Sequence, residues 1–323
     1  MKKNILLPIL VVLLQLAVGV IAEAQQPAKI PWIGYLARAG SGPSPAFILG
    51  LRDLGYIESK NIGVVFRTAV GKPERYAELA AELVRLKVDI VVTDNTRAAL
   101  ALKKATSTIP IVITNSTDPV GTGLVASFAR PGGNVTGLTN ISGELGGKQL
   151  ALLKEIVPKL TRVAILRGAG VANDLFIKET EVPARALKIQ LISMVVEGPD
   201  DLEDAFRAMT KERANGLLVR FGQVSSEYVK RVAELAIKNR LPAIGTASGW
   251  VEAGGLMSYG ADINVQYRRA AVYVDKILKG RTPADLPIEA PMKFEFEINL
   301  QTAKQIGLTI PQTVLFRATK VIK

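Results

Sequence analysis

Along the chain, short apolar runs alternate with stretches of helical spacing. The first set of runs predicts strands at Ile30–Ala37, Asn61–Ala69, within VDIVVTDN from Val88, at Ile109–Ser116 and at Asn134–Asn140. A second set follows at Arg162–Ala169, Gln190–Glu197, Gly216–Gly222, Pro242–Ser248 and Leu256–Asp262. Between them apolar residues recur with the period of a helix, as in Tyr76, Leu79, Ala80, Leu83 and Leu86. Strands that are apolar almost throughout, separated by amphipathic helices, predict parallel sheets covered on both faces. The series divides into two similar halves at the polar, glycine-rich stretch Gly137–Lys148. Gly280–Pro291 carries Pro283, Pro287 and Pro291 and reads as an extended connector. After it, Phe294, Phe296, Ile298 and Leu300 alternate with Lys293, Glu295, Glu297 and Asn299, the pattern of a strand with one wet face. The predicted fold is α/β: two doubly wound parallel-sheet lobes joined by extended segments, with a hinge and a cleft between them.

The amino terminus reads differently. Lys2 and Lys3 precede an apolar run from Ile5 to Ile21, and Ala22-Glu23-Ala24 forms a small-residue cleavage site. This predicts a secretory signal over residues 1–24, since the apolar run is at the short edge of what spans a bilayer. The product is then expected in a bacterial periplasm, soluble and without a lipid anchor.

With 323 residues, 48% of them hydrophobic, the chain is large enough for two buried cores. Cysteine and histidine are both absent. That excludes disulfides, thiolate or imidazole zinc sites, and nucleophiles activated by histidine. No cofactor, metal or catalytic set is expected, and the protein is not predicted to be an enzyme. The net charge of +12 becomes +11 without Lys2, Lys3 and Glu23. The cations are spread over almost every helix, and charges separated by more than a Debye length of about 8 Å do not add at one site. A solvated basic surface with a mild preference for anionic ligands follows, and no nucleic-acid partner. Gly146-Gly147-Lys148-Gln149 lacks the hydroxyl residue of a phosphate-binding loop, and Gly168 with Gly170 reads as a tight turn. The acidic run Asp200–Asp204 complements a helix dipole.

In open parallel α/β sheets ligands sit beyond the carboxyl ends of the strands, where helix N-termini present free N–H groups. Polar stretches stand at several such ends. They include Ala37 and Arg38, then Asp94, Asn95, Thr96 and Arg97, then Asn115, Ser116, Thr117 and Asp118. In the second half they include Gly168, Gln223 and Thr246. Taken singly, residues such as Thr96, Ser116 and Ser225 also suit ordinary helix caps. Phe221, Trp250 and Tyr259 lie at or beside second-half strand ends, where a flat ligand could stack or where rings simply fill a core. Of these Trp250, in the glycine-flanked GTASGWVEAGG, is the favoured stacking residue.

Several segments carry a resemblance: FILGLRDLGYIESKNI, ELAAELVRLKVDIVV, TSTIPIVITNSTDPVGTGLVASFARPGGNVTGLT, VEAGGLMSYGAD and RRAAVYVDKILKGRTPADLPIE. Over essentially the whole mature chain they resemble substrate-binding proteins of ABC transporters, in the group that includes tryptophan and tyrosine uptake proteins. The resemblance implies the type I periplasmic binding fold, with a three-segment hinge. It implies a first lobe of residues 27–138 plus 264–288 and a second of 139–263 plus 289–323. It also implies a monomeric, non-catalytic receptor for a small molecule, with an ABC permease and its ATPase at the inner membrane as partners. The alternative is a sensor protein that presents its ligand to a membrane receptor. In proteins of this kind hydroxyl and backbone N–H groups hold an amino-acid carboxylate, which implies Asn95, Thr96, Ser116 and Thr117 here, with Asp118 or Asp262 for the ammonium. Arg38, Arg97 and the loop Arg220–Ser226 depart from the family pattern. The implied ligand is amino-acid-like, anionic or aromatic.

Overall fold

The computed structural model describes residues 29–323 except 38–41, 71, 141, 170, 221–225 and 247–248. The expected signal at 1–24, together with Arg38, Phe221 and Gln223, lies outside the described residues.

The first part of the chain runs β1 (Trp32–Ala37), α1 (Pro45–Asp53), β2 (Gly63–Thr68), α2 (Tyr76–Arg85), β3 (Ile90–Thr93), α3 (Thr96–Ala105), β4 (Ile111–Thr117) and β5 (Val135–Asn140). It continues through α4 (Ser142–Ile156), β6 (Arg162–Arg167), α5 (Val171–Ala186), β7 (Gln190–Val195), α6 (Leu202–Lys211), β8 (Gly216–Arg220), α7 (Ser226–Lys238), β9 (Ala243–Gly245) and β10 (Met257–Ala261). The remainder is α8 (Ile263–Leu278), β11 (Phe294–Asn299), α9 (Leu300–Gln305), α10 (Gln312–Leu315) and β12 (Lys320–Ile322).

Two sheets result. One has the order β2-β1-β3-β4-β5 and is parallel throughout. The other has the order β12-β11-β10-β9-β8-β6-β7, with β10 and β11 antiparallel and the other pairs parallel. Both faces of each are covered. On the first sheet, Leu36, Val91 and Ile113 pack with Leu79, Leu83, Ala99 and Leu102 of α2 and α3. On its other face, Ile33, Tyr35 and Val92 meet Phe47 and Leu51 of α1 and Ala270, Ala271 and Val274 of α8. Each such aliphatic side chain contributes roughly 1.5–3 kcal/mol by leaving water. The helical spacing read from α2 buries Tyr76, Leu79, Ala80 and Leu83, while Leu86, just past the helix end, is half exposed. Burial of both faces is what makes the strands continuously apolar.

The chain passes between the sheets after β5, after β10 and again before β11. These passages touch. Glu289 donates its N–H to Gly137 O and accepts from Thr139 N, which lays the returning connector beside β5. Arg269 of α8 grips the Glu289 carboxylate with two hydrogen bonds of 2.7 and 2.6 Å.

The chain leaves the first sheet within the stretch Gly137–Lys148 read as the junction, and the glycine-rich part after Asn140 forms the start of α4. A Cβ on Gly146 would stand 2.2 Å from Thr180 Oγ1, and one on Gly147 3.1 Å from Pro183, so small residues let α4 pack closely on α5. One expectation is corrected: β11 does not have a wet face, since Glu297 and Asn299 are buried. The strand lies inside the sheet, between β10 and the short β12, which no sequence pattern announced.

Candidate functional site

At the carboxyl end of β3, Asn95 takes an extended conformation and caps α3, its Oδ1 accepting from Ala98 N at 2.8 Å. The first bond inside the helix, Ala99 N to Asn95 O, follows. Among the described residues the amides of Thr96 and Arg97 are therefore the helix-start donors left over. The Thr96 hydroxyl is already engaged, 3.2 Å from Ser116 Oγ and accepting from Thr117 N at 3.2 Å. Ser116 is fully buried, and its carbonyl accepts from Thr139 Oγ1. Asn115 Oδ1 accepts from Asn140 Nδ2 at 2.8 Å, which ties the ends of β4 and β5 together. This pairing sits at a register shift between Ile113 and Ser116. Gly137 opposite has φ +129°, and a Cβ there would lie 2.1 Å from Ile113 O, so glycine is required for the close approach. The first sheet thus ends in a linked set: Asn95, Thr96, Asn115, Ser116, Thr117 and Asn140. Asn140 was not anticipated from sequence.

The aspartates serve the backbone. Asp118, at φ +43°, accepts from Gly121 N through Oδ1 and closes a turn. Asp262 caps α8, with Oδ1 accepting from Asn264 and Val265 N and Oδ2 from Lys293 Nζ at 2.7 Å. Burial raises its pKa, but the Lys293 ammonium and the two amides outweigh this and hold the carboxyl below its usual range. Asp262 therefore locks two of the passages between lobes, and the geometry does not leave it free for an ammonium group. Asn95 Nδ2 donates to Asp94 Oδ1 at 3.1 Å. Ala37 is buried in the core, so only its backbone reaches the strand end.

From the second sheet, the ends of β6 and β8 stand in register, Arg167 beside Arg220. Arg167 pairs with Asp174 at 3.0 Å and donates to Ser193 Oγ. Gly168 O accepts from Asn173 Nδ2 and holds the following turn. The next carbonyl, Ala169 O, accepts from Arg97 Nη2 at 3.1 Å. That bond brings the end of β3 in one lobe against the end of β6 in the other. Arg97, read from sequence as a departure beside an anion site, reaches across the junction. Arg220 places its guanidinium 4.0 Å from the centre of the Phe176 ring, and burial lowers its pKa to about 10. In the sequence it is a charge ending an apolar run, at the start of the loop Arg220–Ser226 that departs from the family pattern.

Of the aromatic candidates, Tyr259 is partly buried and stacks on Phe294, ring centres 5.6 Å apart. Trp250 is fully buried among Leu166, Val219, Val232 and Val251. A Cβ on Gly245 or Gly255 would stand 3.0 or 2.1 Å from its indole, so these two glycines make room for a core ring at the end of β9 and in the loop that precedes β10. This corrects its assignment as a stacking residue. Thr246, partly buried, follows β9. Two surface depressions, of about 570 and 470 Å3, are each lined by one lobe alone: one by Ser193, Val195 and Asp204 beside edge strand β7, the other by Tyr76, Arg97 and Leu100 over α2 and α3. Among the described residues no group of acidic side chains could hold a metal ion, and no helix is long and apolar enough to cross a membrane.

The same architecture is found in known proteins. A structure of a conserved domain protein from Vibrio cholerae is 30% identical, with a TM-score of 0.83 over 91% of this chain and 100% of that one. The ABC domain of Streptococcus pneumoniae in complex with L-Trp is 25% identical, with a TM-score of 0.82 over 90% of this chain and 99% of that one. A tyrosine-binding protein of Clostridioides difficile is 26% identical over 263 residues, 81% of this chain and 75% of that protein. The lobes have the architecture of type I periplasmic binding proteins. The family profile described as ABC transporter substrate binding protein matches residues 44–322. The chain belongs to the ABC transporter substrate-binding protein family.

Proposed function

We propose that this protein is the extracytoplasmic solute receptor of an ABC importer, and that it captures a small amino-acid-like ligand between the carboxyl ends of its two sheets. The observation that carries this is the meeting of those ends: a linked polar set on the first lobe, and the Arg97 to Ala169 bond reaching the second. Asn95, Thr96, Ser116 and Thr117, with the open amides of α3, suit a carboxylate. Rotation about the passages at Asn140, Asp262 and Glu289 would close the lobes. In this reading the lobes are 27–138 plus 264–288, and 139–263 plus 289–323. In the same reading the receptor is a soluble periplasmic monomer, a location the signal-like start supports, and delivers its ligand to a permease and its ATPase without chemical change. Tyrosine and tryptophan, bound by relatives, define the first ligands to try.

Mass spectrometry of small molecules released by denaturing the purified protein identifies the solute. Calorimetry with L-tyrosine and L-tryptophan, and scattering with and without the ligand, then follow. A released solute that binds again and reduces the radius of gyration is the expected result. No retained solute, no binding and an unchanged scattering profile would sink the proposal.

A further inference from the structure

Arg220 is a partly buried cation that has no ion-pair partner among the described residues. Among the described residues no carboxylate lies within ion-pair distance of it, in a chain where Arg67, Arg162, Arg167, Arg231, Arg269 and Arg317 all have one. Glu179 of α5 exerts a favourable field on it, but from the exposed face of that helix and beyond pairing distance. The guanidinium carbon stands 4.0 Å over the centre of the ring of Phe176, within the first two turns of α5, and Phe176 in turn packs on Gly146 near the start of α4. Removing an ion from water without a partner is costly, and burial lowers the pKa only to about 10, so Arg220 stays charged at neutral pH. Its residual exposure lies at the end of β8, one strand from the carbonyl that Arg97 touches.

We propose that Arg220 is the centre of a carboxylate subsite on the second lobe, so that the ligand completes the ion pair this lobe lacks. The inference rests on the receptor reading and adds to it a carboxylate contact from the second lobe. A planar guanidinium braced by an aromatic ring presents its edge in a fixed direction, the geometry suited to two parallel hydrogen bonds with a carboxylate. The carboxylate could be the main-chain group of an amino acid or one on its side chain.

Two pairs of probes separate these sources: L-tyrosine against L-tyrosinamide, and 4-carboxy-L-phenylalanine against 4-carbamoyl-L-phenylalanine. Each pair differs in charge at one end and little in shape. For the pair whose acid reaches Arg220, calorimetry on the wild-type protein should show the acid binding tighter by on the order of tenfold to a hundredfold. Arg220→Gln should abolish that preference, and Arg220→Lys, which keeps a cation in the same space, should restore part of it. If the glutamine variant does not fold, the acid-to-amide ratio in the wild type and its change in the lysine variant carry the test. Equal acid and amide affinities in the wild type, or preferences unchanged in a folded Arg220→Gln protein, would overturn the subsite and leave the receptor standing. If none of the probes binds, the comparison is made with the solute released from the protein, and a solute without an anionic group would also overturn it. Failure of every probe together with no retained solute counts against the receptor itself.

Discussion

Thr96→Val, alone and combined with Ser116→Ala, tests whether the strand ends of the first lobe form one coupled unit. The Thr96 hydroxyl meets Ser116 Oγ and accepts from Thr117 N, and Ser116 is fully buried. Valine keeps the shape of threonine but leaves Ser116 Oγ, which has no other partner among the described residues, without a hydrogen bond. A stranded buried polar group costs about 1–3 kcal/mol, and the lost amide bond adds about 0.5–1.5. Thr96→Val should therefore destabilise by about 2 kcal/mol. Ser116→Ala should cost about 1 kcal/mol, because the partly exposed Thr96 keeps Thr117 N. In the double variant the stranded hydroxyl is gone, so the total should stay near 2 kcal/mol, a coupling of about 1 kcal/mol. Thermal unfolding followed by circular dichroism measures this, at roughly 2–4 °C of midpoint per kcal/mol for a lobe-sized unit. Losses that simply add, to about 3 kcal/mol in the double variant, would refute the coupling and with it the view that the cleft edge is organised before any ligand arrives.

Arg97→Ala removes an exposed hydrogen bond between the lobes, and should weaken binding of the retained solute by about threefold to tenfold while leaving the melting midpoint within a degree or two; equal affinities would show that the bond does not favour the closed form. A Trp32→Phe protein reports on Trp250 alone, and its emission should be blue-shifted and resistant to iodide quenching, since the ring is fully buried; efficient quenching would contradict the core position. The Asp262 carboxyl titrates lower when folded than when unfolded, so its stabilisation is complete above the unfolded value of about 3.9 and disappears as pH falls through the folded value. Lys293→Met should then lower the urea midpoint at pH 7 and progressively less below about pH 4, whereas a difference independent of pH would rule out the ion pair as its source.

The sequence by itself determined the two sheets and which ends of their strands are polar. Burial on both faces demands continuous apolar runs, and a run such as Ile111–Ile113 has few other uses. It also determined what chemistry is absent, since a chain without cysteine or histidine lacks those ligands and nucleophiles in any fold. Only the tertiary structure decided what the polar and glycine positions are for. Gly245 and Gly255 gave no sign that they make room for the Trp250 indole, because a missing side chain says nothing about what fills its place. Glu297 and Asn299 alternate as on an exposed strand, yet both are buried, Glu297 accepting from Ser258 and Asn299 capping α9 and donating to Val251 O, contacts that come from distant segments. Asp262 and Asp118 read as ammonium ligands, but backbone donors that local folding brings within reach had already claimed them. Arg220 was legible as a charge at a strand end and as the start of a loop that departs from the family pattern. Whether such a charge is solvated, paired or buried depends on the helix that lands over it, and here the helix brings Phe176 and no carboxylate within pairing distance.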